Sequence, residues 1–116
     1  MIKEHVERYA TEGGRAINEG DWEAYGDFFS EDLVMRTPAI PGISRGREAR
    51  VSLVQGMMAA VPDGHVEMVR SIVQGDRACL EWHWTGTNVD VPYCMVVRFE
   101  DGRIAEINEY YDQLGM

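Results

Sequence analysis

Three turn signals divide the second half of this chain into four segments of strand length. Each turn combines an aspartate with glycine or asparagine, residues that tolerate tight-turn backbone angles, and the turns lie at residues 75–76, 88–90 and 101–102. The segments that they separate are predicted strands at residues 65–73, 77–87, 93–99 and 103–112. Consecutive strands joined by short turns predict an antiparallel sheet, which needs the first half of the chain to cover one of its faces.

Helical spacing in the first half supplies that cover. Apolar and small residues predict helices at residues 4–18, 21–29 and 47–60, with Asp21 as the N-cap of the second. A short strand is predicted at residues 33–37, closed by Pro38. Because 116 residues suffice for one core, we expect a single α+β domain with helices on one face of a curved sheet.

Composition narrows the range of partners. A formal net charge of -9 without a basic stripe argues against nucleic acid or an anionic membrane as partner. No apolar stretch is long enough to span a membrane, and the N-terminal residues do not form a signal peptide. Cys79 and Cys94 lack metal or redox spacing, so we interpret them as buried thiols in a reducing, cytoplasmic compartment. No metal-binding motif is present, and no cofactor is expected.

Side-chain alternation separates the two faces of the predicted sheet. Leu80, Trp82 and Trp84 share the face expected to meet the helices, and the intervening residues 79, 81, 83 and 85 share the other. In the last strand Glu109 lies between Ile107 and Tyr111 and therefore points into the apolar interior. Desolvation raises the pKa of a carboxyl group towards the range of a useful general acid or base. The alternative is that the acids of this strand are solvated on its surface.

Several short strings, in this order and spacing, resemble the nuclear transport factor 2-like (cystatin-like) cone fold. They are Gly20–Tyr25, Phe29–Asp32, Thr37–Pro38, Gly46–Ala49, Trp84–Thr87, Asp101–Ile104 and Glu109–Asp112. Within that fold the chain is most similar to SnoaL-like polyketide cyclases, limonene-epoxide hydrolases and ketosteroid isomerases. The resemblance covers essentially the whole chain. It implies one SnoaL-like domain over residues 1–116, with three N-terminal helices packed on a curved antiparallel sheet.

The resemblance also implies roles for individual positions. The hydrolases and cyclases carry a catalytic aspartate two residues before an aromatic residue in the last strand, and Glu109 stands at that place before Tyr111. Thr37 stands at the position of the isomerase base and cannot act as a base. The isomerase aspartate and the cyclase histidine both fall near Met95. The basic and acidic partners of the hydrolase fall near Trp82 and Trp84, so we expect Glu109 to lack them.

These positions predict an apolar, aromatic pocket for a small hydrophobic molecule, with Glu109 and Thr37 as its polar groups. Its expected lining is Met35, Leu53, Met57, Trp82, Trp84, Tyr93, Met95 and Tyr111. The alternative is that these bulky side chains simply fill the core.

The leading functional hypothesis is a cofactor-free enzyme acting on a hydrophobic cyclic or polyketide-like molecule by proton transfer. The reaction would be cyclisation, isomerisation, dehydration or epoxide opening, with Glu109 as general acid or base and Asp112 as the next candidate. Thr37 or Tyr93 would orient the substrate oxygen. The alternatives are a non-catalytic binding or dimerisation module and, thirdly, a subunit that recruits a partner protein. The resemblance further implies a homodimer formed through the sheet.

Overall fold

The computed structural model describes residues 2–112 as one α+β domain. Its helical elements are α1 (Lys3–Arg8), a π-helical turn (Tyr9–Gly13), α2 (Gly14–Glu19), α3 (Trp22–Gly26) and α4 (Arg47–Ala60). Its strands are β1 (Phe29–Thr37), β2 (Ile40–Arg45), β3 (His65–Gln74), β4 (Arg77–Gly86), β5 (Val89–Glu100) and β6 (Arg103–Tyr110). None of the helices within residues 2–112 has the length and apolar character needed to cross a membrane.

The six strands form one curved, open sheet in the order β2-β1-β6-β5-β4-β3. The predicted antiparallel meander is confirmed for β3 to β6, and α4 has the predicted bounds. β1 returns to the sheet parallel to β6, which sequence did not predict. β2 was not predicted either, because Pro41-Gly42 is typical of a turn; an edge strand tolerates both residues. The second helix ends at Gly26 rather than Phe29, and β1 begins at Phe29.

The helices pack against one face of this sheet, which we call the inner face. Leu80, Trp82 and Trp84 are buried there, as their alternation predicted, and Ile107 and Glu109 are buried on β6. The opposite, outer face carries half-buried residues such as Cys79 and Cys94 on β4 and β5. The inner face and the helices therefore enclose the core, and any internal site must lie between them.

A sharp reversal between α2 and α3 brings two tyrosines together in that core. Gly20 ends α2 at φ 74, and Asp21 then caps α3, with its Oδ1 accepting a hydrogen bond from the Ala24 backbone at 3.2 Å. The reversal lays Tyr25 against the first helical segment, where its hydroxyl lies 3.1 Å from that of Tyr9.

The π-helical turn places Gly13 directly beneath the Tyr9 ring. A Cβ atom at Gly13 would lie 2.8 Å from Tyr9 Cδ1, and Gly13 is fully buried within the helix. The absent side chain therefore makes room for the ring, so this helical glycine has a packing reason despite its low helix propensity.

We expect Gly13→Ala to lower the free energy of unfolding by about 1–3 kcal/mol, because the added methyl group must displace the Tyr9 ring. Urea unfolding followed by circular dichroism measures the change. Gly56→Ala is the matched control: Gly56 lies in α4 with nothing within 4 Å of an added Cβ, and this change should stabilise by about 0.5–1 kcal/mol. Equal effects at the two glycines would contradict the packing role of Gly13.

Candidate functional site

Glu109 lies on the inner face of β6 with its side chain 4% exposed. The parallel pairing of β1 with β6 sets Arg36 opposite Asn108, so the next residue on each strand, Thr37 and Glu109, meet inside. Thr37 Oγ1 donates a hydrogen bond of 2.8 Å to Glu109 Oε1. The inward direction of Glu109 thus follows from strand alternation, and its hydroxyl partner from strand pairing.

Arg50 supplies the positive charge that sequence analysis expected to be missing from this site. It lies on α4, is 2% exposed, and donates from Nη1 to Glu109 Oε1 at 2.8 Å. That expectation was therefore wrong, because the cation comes from a helix rather than from the middle strand. Arg50 lies one helical turn before the buried Val54, so its position on the inner face of α4 was the available signal.

A chain of hydrogen bonds fixes the remaining donors of Arg50. Nε donates to the Tyr25 hydroxyl at 3.2 Å, and that hydroxyl lies 3.1 Å from Tyr9 Oη. Nη1 and Nη2 also contact the sulfur atoms of Met35 at 3.8 Å and Met95 at 3.6 Å. These contacts hold the guanidinium in one orientation, with Nη1 directed at Glu109.

The buried charges determine the protonation of their neighbours. Desolvation acts to lower the pKa of Arg50, but the charge of Glu109, helped by Tyr25 and Tyr9, outweighs it and leaves that pKa well above its ordinary value. Burial, reinforced by Tyr25, raises the pKa of Tyr9. Burial, reinforced by the charge of Glu109, raises the pKa of Tyr93. At neutral pH Arg50 is therefore a cation and both tyrosines are hydrogen-bond donors.

The carboxylate of Glu109 is used on one side only. Thr37 and Arg50 both bind Oε1, and among residues 2–112 no hydrogen-bond partner reaches Oε2. Glu109 lines a cavity of about 10 Å³, which is about the room that one water molecule occupies. The cavity is lined by Arg50, Val54, Met57, Met58, Val66, Trp84, Val91, Tyr93, Glu109 and Tyr111.

Two hydrogen-bond donors in the lining of this cavity are buried without an acceptor. Trp84 Nε1 and Tyr111 Oη have no partner among the described residues. An indole N–H can only donate, and a buried donor left unpaired costs about 1–3 kcal/mol. The residues that line the cavity therefore carry two donors and one carboxylate oxygen without partners among residues 2–112, and such donors suit a ligand with an oxygen acceptor. Trp82 Nε1 also has no hydrogen-bond acceptor among residues 2–112, but Trp82 does not line the cavity, and its ring packs against Tyr9 and Tyr93.

The predicted site residues fall into four groups in the structure. Met57, Trp84, Tyr93, Glu109 and Tyr111 line the cavity. Thr37, Met35 and Met95 contact the Arg50–Glu109 pair instead. Leu53 and Trp82 pack in the core, and Asp112 is exposed beyond the end of β6. The residues that sequence analysis missed are Arg50, Tyr25 and Tyr9, together with the apolar cavity residues Val54, Met58, Val66 and Val91.

No cluster of three or more histidine, cysteine, aspartate or glutamate side chains within residues 2–112 could hold a metal ion. The site is thus built from one carboxylate, one guanidinium, hydroxyl and indole donors, and apolar side chains. Such groups bind and orient an organic molecule and exchange protons with it.

Residues 6–107 match the family model of the SnoaL-like domain. The chain therefore belongs to the SnoaL-like family, within the nuclear transport factor 2-like superfamily. No curated protein sequence compared with this chain matches it.

Solved structures share the fold at low sequence identity. Bal32a, from a soil-derived mobile gene cassette, is 23% identical with a TM-score of 0.80, over 96% of this chain and 92% of its own. A candidate polyketide cyclase from Sinorhizobium meliloti is 22% identical with a TM-score of 0.74, over 92% of this chain and 94% of its own. A candidate ketosteroid isomerase from Kribbella flavida is 16% identical with a TM-score of 0.75, over 96% and 77%. These similarities establish the fold.

We expect Arg50→Met and Glu109→Gln each to lower the free energy of unfolding by about 3–5 kcal/mol, because each leaves its partner buried without compensation. The double variant should lose much less than the sum of the two, since it removes both charges. Urea unfolding of all four forms gives the coupling energy directly.

The exposed pair Arg15–Glu19, with side chains 53% and 59% exposed, is the matched control for this cycle. Arg15→Met and Glu19→Gln should show a coupling of at most about 0.5 kcal/mol. A coupling between Arg50 and Glu109 as small as that of the surface pair would contradict the buried ion pair.

Proposed function

We propose that this chain is a cofactor-free enzyme that moves a proton to or from a small hydrophobic cyclic or polyketide-like molecule, with Glu109 as general acid or base. The observation that carries the proposal is the Glu109 carboxylate, which lines the cavity. Its Oε1 accepts hydrogen bonds from Thr37 and Arg50, while Oε2 has no hydrogen-bond partner among residues 2–112. A carboxylate fixed through one oxygen can transfer protons through the other without changing its position.

Charge balance supports a mechanism that begins with Glu109 ionised. In the resting site the Arg50 cation neutralises Glu109. When Oε2 accepts a proton from carbon next to a carbonyl group, the negative charge moves to the substrate oxygen as an enolate. Arg50 stays positive throughout, so the net charge of the buried site does not change and the enolate is formed beside an uncompensated cation.

The unpaired donors support a substrate that presents an oxygen atom to them. Trp84 Nε1 and Tyr111 Oη gain an acceptor when such an oxygen enters, and Tyr93 stays protonated because its pKa is raised. The Thr37 hydroxyl already donates to Glu109 and is not available while that bond stands, so we assign the orienting role to the other three donors. Donation to the oxygen stabilises the charge that develops during proton transfer.

Entry of a ring requires the cavity to widen beyond its 10 Å³. Met57 and Met58 form the α4 side of the cavity and are only partly buried. Methionine side chains are flexible and repack at low cost, so we assign entry of the ring to their displacement. Cyclisation, isomerisation, dehydration and epoxide opening each include a proton transfer that a carboxyl group can perform, and solved structures of the same fold are named as a candidate cyclase and a candidate isomerase.

A non-catalytic binding module is the second candidate. It is favoured by the small cavity and by the full pairing of Oε1, which are also features of a carboxylate that only anchors a ligand or a fold. Turnover separates the two functions, because a binder retains affinity and has no rate to lose.

We expect the chain to accelerate exchange of the α-protons of a cyclic ketone in deuterated water, or the opening of a cyclic epoxide to a diol. Cyclohexanone, decalone and cyclohexene oxide are suitable probes, followed by proton NMR. Glu109→Gln should lower the rate by about a hundredfold or more, since the amide cannot exchange the proton. Glu109→Asp should restore part of the activity because it returns the carboxylate one methylene away.

Glu106→Gln is the matched control, since Glu106 lies on the same strand and pairs with Arg77 on the outer face. This variant should keep the full rate. Circular dichroism at the assay temperature ensures that each variant is folded. Activity that survives Glu109→Gln eliminates the catalytic assignment, and saturable binding of the probes without turnover supports the binding module.

We also propose that the chain forms a homodimer through the outer face and works in a reducing, cytoplasmic setting. The outer face carries exposed apolar side chains, Ile72 at 68% and Tyr110 at 60%, and both of its cysteines are free thiols. Glu81 and His83 lie on this face, opposite Trp82 and Trp84 on the same strand.

The double change Glu81→Arg with His83→Glu should therefore weaken the dimer, which sedimentation velocity detects as a shift to the monomer. Glu23→Arg, on the exposed side of α3, is the control and should leave the dimer intact. A dimer that is unaffected by the double change rules out this face as the interface.

A further inference from the structure

Two thiols meet on the outer face of the sheet, away from the Glu109 cavity. Cys79 Sγ and Cys94 Sγ lie 3.0 Å apart, which is about 1 Å longer than a disulfide bond. Cys79 is paired with Val96 and Cys94 with Glu81, so the two cysteines are diagonal neighbours on β4 and β5. They are the two cysteines of the chain, and both are free and half-buried.

In the single chain a surface groove gives reagents access to both sulfur atoms; the homodimer proposed above would cover this face, so the reaction is assigned to the monomer. The groove has a volume of about 260 Å³ and is lined by Cys79 and Cys94 with Arg70, Ile72, Pro92 and Tyr110. The Arg70 guanidinium pairs with Glu81 at 3.0 Å beside the thiols. Two sulfur atoms in contact, open to solvent on one side, form a site at which one can react and the other can complete the reaction.

We propose that Cys79 and Cys94 form a reversible dithiol–disulfide site that is oxidised by small-molecule disulfides such as oxidised glutathione. One cysteine thiolate attacks a glutathione sulfur, forming a mixed disulfide and releasing one reduced glutathione. The second thiolate attacks the cysteine sulfur of that mixed disulfide, forming the Cys79–Cys94 bond and releasing the second reduced glutathione. Two electrons and two protons pass from the cysteines to glutathione in total.

The two cysteines lie on the opposite face of β4 and β5 from residues that line or adjoin the cavity. Leu80 follows Cys79 with its side chain on the inner face, and Tyr93 and Met95 flank Cys94. Tyr93 lines the cavity and Met95 contacts Arg50, so a bond between the two thiols ties together the strands that carry these groups. The proposal itself does not depend on the function assigned to Glu109.

The reaction is expected to be slow at neutral pH. Burial raises the pKa of the Cys94 thiol to about 11, with the adjoining Cys79 thiol adding to the effect, so little of the Cys94 thiol is ionised at neutral pH. Incubation with excess oxidised glutathione therefore needs long times, and it uses folded protein diluted until sedimentation velocity shows the monomer. Intact mass and titration of free thiols follow the reaction.

The wild-type chain should lose both free thiols, reach a mass lower by two hydrogen atoms, and return to its starting mass on treatment with dithiothreitol. The single variants Cys79→Ser and Cys94→Ser should stop at the mixed disulfide, with one glutathione added, because the resolving thiol is absent. Circular dichroism of both variants checks that they are folded.

Three results would overturn the proposal. One is wild-type protein that accumulates glutathione adducts like the single variants, because the sulfur atoms then cannot join. Another is a disulfide between two chains, seen on non-reducing gels. The third is full retention of both thiols by folded protein that reacts only after unfolding in urea.

Discussion

The buried ion pair between Arg50 and Glu109 is the interaction on which the interior of this protein depends. Two charges removed from water are tolerable only when they pair closely and further hydrogen bonds compensate part of the lost hydration. Here Thr37, Tyr25 and two methionine sulfur atoms complete the pair, and the Tyr25 contact extends it to Tyr9. The pair thereby joins α4, α3, the first helical segment, β1 and β6 at one point, and it orients the only acid among the described residues that line the cavity.

The same interaction separates the structural role of Glu109 from its proposed chemical role. Oε1 holds the fold together, and Oε2 has no partner among the described residues. Apolar walls and unpaired donors around it give the low-dielectric setting in which a fixed carboxylate and a fixed cation act most strongly. One fold of this kind serves several functions, so any catalysis depends on these few groups rather than on the fold.

Sequence predicted most of the fold and one half of this pair. The apolar residues Ile107 and Tyr111 were sufficient to predict that Glu109 points inwards, because side chains at alternate positions of a strand share one face. The role of Arg50 could not be predicted, since a charged residue in an amphipathic helix ordinarily faces solvent and its partner is 59 residues away in sequence. β2 was missed because Pro41 and Gly42 match a turn as well as an edge strand. The cavity size depends on how side chains such as Met35 and Trp82 pack, which local patterns do not encode.

A crystal structure of the protein soaked with a cyclic ketone shows directly whether Glu109 meets a substrate inside the cavity. We expect the ketone to occupy the cavity between α4 and β6, displacing Met57 or Met58. Glu109 Oε2 should lie within contact of the α-carbon, and the carbonyl oxygen should accept hydrogen bonds from Trp84, Tyr93 or Tyr111. Glu109 should still bind Arg50 through Oε1. A ketone bound only outside this cavity, or a Glu109 carboxylate with both oxygens engaged by protein donors, would contradict the role of Glu109 as general acid or base.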